Sequence, residues 1–165
     1  MDDEGGRGRG FDALFADSYR TIVRTVFFIV GDWEVAREVA QDAFATALVH
    51  WRKVSAYDNP GAWVRRVAIR DAVRTRRRAQ RTAGVAGATV APAPPIESAL
   101  DVRAAILRLP VQQRAAVVLH YLHDLPVRDV AAELRCSEGT VKTHLARARD
   151  ALAALLRDEH EDAHG

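Results

Sequence analysis

The chain has 165 residues, 48% of them hydrophobic, with 24 Lys and Arg against 22 Asp and Glu, a formal net charge of +2. That length and apolar content suffice for one domain or for two small ones, each marginal alone, and the near-neutral charge gives whole-molecule electrostatics little say in the choice of partner. No apolar run approaches the ~18 residues that span a bilayer, the opening MDDEGGRGRG lacks the apolar centre of a secretory signal, and the single cysteine, Cys136, excludes an internal disulfide and offers no zinc site of the usual spacing.

Those exclusions lead to the expectation of a cytoplasmic protein without membrane insertion. In chain order, residues 1–10 read as a flexible tail. Over 11–30, Phe11, Leu14, Phe15, Ile22, Val23, Val26, Phe27 and Val30 recur at intervals of three and four, which predicts a helix with one buried stripe, ended by Gly31. Asp32 is placed to cap a second helix reaching about Trp51. Its apolar side holds Val35, Ala36, Val39, Ala43, Ala47 and Leu48, and its other face Glu34, Glu38, Gln41 and Asp42. A polar loop over 53–59 contains Tyr57. Asn59 before Pro60 has the form of an N-cap with proline at the first helical position. The third helix then runs to about Arg78, with Trp63, Val64, Val67, Ala68 and Ala72 inward and a row of arginines outward: Arg65, Arg66, Arg70, Arg74, Arg76, Arg77, Arg78 and, beyond the helix, Arg81, against the single acid Asp71.

Residues 81–96, RTAGVAGATVAPAPPI, shift to Gly, Ala and Pro without a helical stripe and read as a linker, whose ~16 residues at ~3.3 Å each reach roughly 50 Å. A helix resumes over 97–107, Leu109-Pro110 breaks it, and 111–122 forms another, with Val117, Val118, Leu119 and Leu122 for the core. The expected fold is therefore all-α: two small helical domains (11–80 and 97–157) joined by a flexible linker, the second carrying a helix-turn-helix, with an acidic tail over 158–165.

That helix-turn-helix occupies 127–156. A short apolar helix, VRDVAAEL, is followed by the turn RCS and the long basic helix EGTVKTHLARARDALAALL. Val130, Ala131 and Leu134 are in register to meet Val141, Leu145 and Ala148. Ser137 can cap the second helix, and Glu138 suits its positive end. Lys142, Thr143 and Arg147, with His144 and Thr140, then lie away from the packed side, where a major groove would meet them. Any soluble helix pair has a charged face; the combination of short apolar helix, polar turn and capped basic helix favours a nucleic-acid reader. Arg135 stands where such turns often carry Gly, so a left-handed backbone there would be strained.

No catalytic constellation is present in this reading. His120 and His123 lack a third metal ligand, and GGRGRG lacks the strand that a phosphate loop requires. Glu38 and Asp42 share a helical face and suit docking better than acid/base work. The arginine row beside Trp63 and Tyr57 combines phosphate contacts with rings on which unstacked bases could lie, against the plainer possibility of a solvated face.

From these residues the chain resembles, end to end, the bacterial extracytoplasmic-function (ECF) sigma factors of RNA polymerase. AREVAQDAFATAL is similar to the family's polymerase-binding segment, with Arg37 in place of the usual acid. NPGAWVRRVAIRDAVRTRRR resembles the segment that reads and melts the minus-ten element, with Arg70 where Asn is common. The span LPVQQRAAVVLHYLHDLPVRDVAAELRCSEGTVKTHLARARDAL resembles the minus-thirty-five reader. The resemblance implies polymerase contacts at Glu38, Gln41, Asp42 and Phe44, and minus-ten contacts at Tyr57, Asp58, Asn59, Trp63, Arg66, Arg70 and Arg74. It implies upstream contacts at Arg128, Ser137, Thr140, Lys142, Thr143, His144 and Arg147. The implied partners are core RNA polymerase and promoter DNA, with an anti-sigma factor left open, and no cofactor, metal or catalysis is implied. Two other readings stay open. A stand-alone helix-turn-helix regulator would need an upstream sensory domain with strands, and a helical adaptor for an acidic protein would leave the capped helix without a purpose.

Overall fold

The computed structural model describes residues 3–86 and 102–162, all helices and connecting turns, and divides into two compact units, Met1–Ala72 and Val73–Gly165. In the first unit, α1 (Asp3–Val30) is folded back on α2 (Trp33–Val49) by a two-residue turn. Gly31 takes φ 80°, a left-handed value that glycine adopts without a Cβ clash, and its N–H donates to Phe27 O at 2.7 Å. Asp32 Oδ1 then accepts from the N–H groups of Glu34 and Val35 at 2.8 and 3.0 Å, meeting two of the free donors that begin a helix.

Ala36, Ala40, Ala43 and Ala47 form a fully buried stripe along α2, and small side chains in such a stripe let the α1 backbone approach closely. Short α3 (Trp51–Val54) turns the chain toward α4 (Pro60–Ala86), whose Val64, Ala68, Ile69 and Ala72 complete the core. Asn59 Oδ1 accepts from Ala62 N–H at 2.9 Å, so the Asn-Pro start works as an N-cap. A Cβ on Gly61 would meet Ser18 Oγ at 3.3 Å and Leu14 Cδ1 at 3.5 Å, which shows how closely this first turn of α4 presses on α1.

The second unit holds α5 (Val102–Leu107), α6 (Val111–Val117), α7 (Val127–Leu134) and α8 (Glu138–Asp162), besides the end of α4. α5, α6 and α7 all pack on α8. Its core is Ala104, Ala105, Leu109, Ala115, Ala116, Val118, Leu119, Val130, Val141, Leu145 and Ala148. α6 runs on as a π-helical turn, Val118–Leu122, closed by His123 N–H donating to Val118 O at 3.2 Å.

Several boundaries differ from the sequence expectation. The first helix begins at Asp3 and runs through the supposed tail, where a Cβ on Gly10 would touch Trp51 Cζ2 at 3.3 Å: glycine here serves a close approach, not flexibility. α2 stops at Val49, and Lys53 and Val54 lie in α3 rather than in the polar loop. α4 continues to Ala86, past Arg78, because Ala, Arg and Gln are strong helix formers and no proline interrupts them. The rest of the linker and the start of the expected 97–107 helix fall outside the described residues, as do residues 163–165 of the acidic tail; its residues up to Asp162 are helical. Phe15, Leu48 and Leu122 are exposed, not core. For Leu122 the wider π turn shifts the helical phase, so Tyr121 and Leu122 emerge into solvent.

Arg135 ends α7 at φ 53° and ψ 48°, a left-handed conformation that a Cβ makes costly. Relief of roughly 1–2 kcal/mol of strain, less the greater backbone entropy of glycine in the unfolded chain, predicts that Arg135→Gly gains about 0.5–1 kcal/mol. A urea titration of the two proteins checks this, and equal or lower stability of the variant would show that the backbone there is unstrained.

Candidate nucleic-acid and docking surfaces

The orientation of α8 follows from its buried seam. Val141, Leu145 and Ala148, spaced four and three apart, are sunk against Val130 and Ala131 of α7, with Leu134 half-buried beside them. That seam leaves Thr140, Lys142, Thr143 and Arg147 exposed and His144 half-buried. Ser137 Oγ accepts from Thr140 N–H at 3.0 Å and shares a hydrogen bond with Thr140 Oγ1 at 2.9 Å, so these two hydroxyls are first of all a helix cap. Thr143 Oγ1 donates back to Gly139 O at 3.0 Å, which occupies its donor. Lys142 and Arg147 therefore carry the positive charge of the face. Burial, and then the neighbouring Arg147 cation, hold the His144 pKa below its ordinary 6.5, so its ring is neutral at neutral pH. Burial raises the Cys136 pKa, which keeps this turn residue a thiol. Arg128 opens α7, exposed, with Nε 3.6 Å from Asp129 Oδ1, a solvent-facing pair of little energetic weight.

On the first unit, Tyr57, Asp58 and Asn59 sit exposed in the turn before α4, but the Asn59 amide oxygen is engaged by the Ala62 cap. Trp63, Arg66 and Arg70 are half-buried and Arg74 is exposed. The arginine row thus does not simply fan outward. Arg66 and Arg76 have packed stems whose Nε atoms are buried without a hydrogen-bond partner among the described residues, while Arg74, Arg77, Arg78 and Arg81 stand in solvent.

The acidic face of α2 presents Glu38, Gln41 and Asp42 to solvent. Phe44 does not belong to that face. It is 2% exposed and anchors an aromatic cluster, edge-on to Phe11 (centroids 6.3 Å apart) and Phe15 (5.0 Å) and tilted against Tyr19 (5.9 Å). Its burial corrects the expectation that it touches a partner: it holds the face from beneath. Two residues that the periodicity did not place here extend the face, Leu48 at 54% and Val49 at 79% exposure. No local signal marks them, since adjacent apolar residues elsewhere in the chain, Ala43 and Phe44 among them, are both buried.

Among the described residues the chain is all-helical, with one capped helix that turns a cationic face to solvent and another that presents an acidic, apolar-tipped face. Residues 14–82 match the family model "Sigma-70 region 2" and residues 99–152 match "Sigma-70, region 4". The sequence is 33% identical over 153 residues to the ECF RNA polymerase sigma factor SigM of Mycobacterium tuberculosis, covering 88% of this chain and 76% of that one. It is 28% identical over 166 residues to SigW of Bacillus subtilis, covering 88% and 89% of the two chains. Among solved structures, the sigma factor RpoE of Bartonella quintana, crystallised with the anti-sigma factor NepR, shares the fold with a TM-score of 0.69 at 23% identity, over 90% of this chain and 98% of that one. The chain belongs to the ECF sigma factors of RNA polymerase. It is a transcription initiation factor that binds core RNA polymerase and directs it to promoters. No described helix is long and apolar enough to cross a membrane.

The His144 environment has a signed consequence. Because its folded pKa lies below 6.5, the unfolded chain takes up the proton first as pH falls. The contribution of His144 to stability is complete above about pH 6.5 and declines as pH drops through that value toward the folded pKa. Thermal melts between about pH 7.5 and about pH 5.5 should show the parent losing stability faster than His144→Gln; parallel losses would contradict the burial of a neutral ring.

Proposed function

We propose that promoter recognition is divided between two surfaces of this chain, one in residues 11–80 and one in residues 97–157, and that polymerase docks on the exposed face of α2. Upstream DNA is read by the face of α8 bearing Lys142, Thr143, His144 and Arg147, with Thr140, Ser137 and Arg128 at its edges as phosphate-side contacts. The observation that carries this is the buried seam Val141, Leu145 and Ala148, which fixes the opposite side of α8 outward. A guanidinium on such a face can bond a guanine edge in bidentate fashion.

The minus-ten element meets the exposed turn Tyr57, Asp58 and Asn59 and the first turns of α4. Tyr57 and Trp63 supply rings for an unstacked base, and Arg66, Arg70 and Arg74 supply phosphate contacts. The cap held by Asn59 makes that residue a positioning group for the turn as well. Glu38, Gln41 and Asp42, with Leu48 and Val49, give the docking face the mix of apolar anchor and charged rim that protein interfaces use. In this reading the chain performs no chemistry: it binds, positions and separates DNA in the cytoplasm and leaves catalysis to the polymerase.

Run-off transcription with core enzyme tests the two surfaces separately. Arg147→Ala should weaken binding to the upstream element by about 1–3 kcal/mol if it makes a base contact, and an equal loss on every sequence would reduce it to a phosphate contact. Reversing Glu38 and Asp42 to Lys should lower affinity for core enzyme about tenfold, ~1.4 kcal/mol, while the melting temperature of the free chain is kept. Undiminished affinity would remove α2 from the docking surface.

A further inference from the structure

In the second unit, Arg114 of α6 and Glu133 of α7 are each 3% exposed, and among the described residues they are the only charged side chains so buried. They carry opposite signs, and α6 packs directly on α7. Arg114 Nε donates to Leu109 O at 2.7 Å, which ties the guanidinium to the turn between α5 and α6 and leaves its remaining donors to be met elsewhere. Burial, and then the nearby Arg76 cation, bring the Arg114 pKa down to about 10, so the group is still charged at neutral pH. A charged guanidinium inside a protein is tolerated only against a carboxylate or several acceptors, and a buried carboxylate only against a donor. Neither residue is stranded, since each makes further polar or electrostatic contacts.

We infer that Arg114 and Glu133 form a buried ion pair that sets the orientation of α7 on α6 and so positions the promoter-reading helix α8. Glu133 lies in the last turn of α7, two residues before the left-handed Arg135 at which the chain turns toward α8. Its neighbours Val130 and Ala131 form the seam that fixes the phase of α8. Hydrophobic seams of this kind tolerate small rotations and slides; a bond between a planar guanidinium and a carboxylate is directional and permits one arrangement. The pair thus acts on recognition through α7 and touches no DNA itself.

The pair is a feature of the second unit alone, but its consequence for selectivity rests on the reading face proposed for α8. The test therefore has two readouts on the full chain: thermal unfolding of Arg114→Met, Glu133→Gln, Glu133→Leu and the double variant Arg114→Met with Glu133→Leu, and run-off transcription with core polymerase from a template library randomised over the upstream element. Each single change should lower the melting temperature, and the double variant should recover most of that loss, because an apolar pair can replace a buried ionic one whereas half of the pair cannot stand alone. The refolded double variant should select upstream sequences about tenfold less sharply than the parent, with minus-ten selection unchanged. A double variant no more stable than the singles would overturn the pairing. Parental upstream selectivity in a stable double variant would overturn the positioning role. A parent that selects no upstream sequence would instead count against the α8 reading face, while the thermal cycle still decides the pair.

Discussion

The contact that decides which face α8 turns to solvent is apolar and lies beneath that face: Val130 and Ala131 of α7 with Val141, Leu145 and Ala148 of α8. Residues on a helix advance by a fixed angle, so burying three of them decides where every other side chain of that helix points. Lys142 and Arg147 are outward because Val141, Leu145 and Ala148 are inward. The cap at Ser137 then fixes where the helix begins, and hence how far its first turns project. Charge on the face is small in number and costs little to maintain, since the exposed cations need no partner in the free chain.

In the first unit a helix face is fixed in the same way. The alanine stripe of α2 brings α1 close, and Phe44 fills the space where alanine would leave a void. A fully buried phenylalanine in contact with Phe11, Phe15 and Tyr19 cannot turn outward without opening a cavity, which costs about 3–5 kcal/mol for a deleted aromatic side chain. The face above it is thereby held in one orientation, with Glu38 and Asp42 along it and Leu48 and Val49 at its end. Side chains presented on a packed helix have less freedom to lose on association than those on a loop.

Against this background of regular packing, the irregular places are concentrated between α6 and α8: the π-helical turn, the left-handed Asp124 and Arg135, and the buried charges of Arg114 and Glu133. His120 Nδ1 lies 2.8 Å from Leu125 O, and Arg149 Nη1 donates to the Tyr121 hydroxyl at 3.2 Å, so polar contacts brace the same bend. Each departure costs free energy that a plain helical hairpin would not spend, and together they lie along the path from α6 to the start of α8.

The residues by themselves determined the helical class, the cap at Asp32, the Asn-Pro start of α4, the register of α7 and α8, and the family. All of these are local or periodic: a capping side chain, a proline-fixed backbone angle or a repeat of three and four needs only near neighbours in the sequence. Tertiary structure decided the remainder. Gly10 lies in a helix close against Trp51, Phe44 is core because three other rings surround it, and Leu48 and Leu122 are outside because no helix among the described residues covers them. Arg114 and Glu133, nineteen residues apart and unremarkable in the sequence, are buried only because the helices of the second unit close over them. Periodicity states which side of a helix is apolar, but whether that side is covered depends on contacts between segments far apart in the chain, and no local rule contains them.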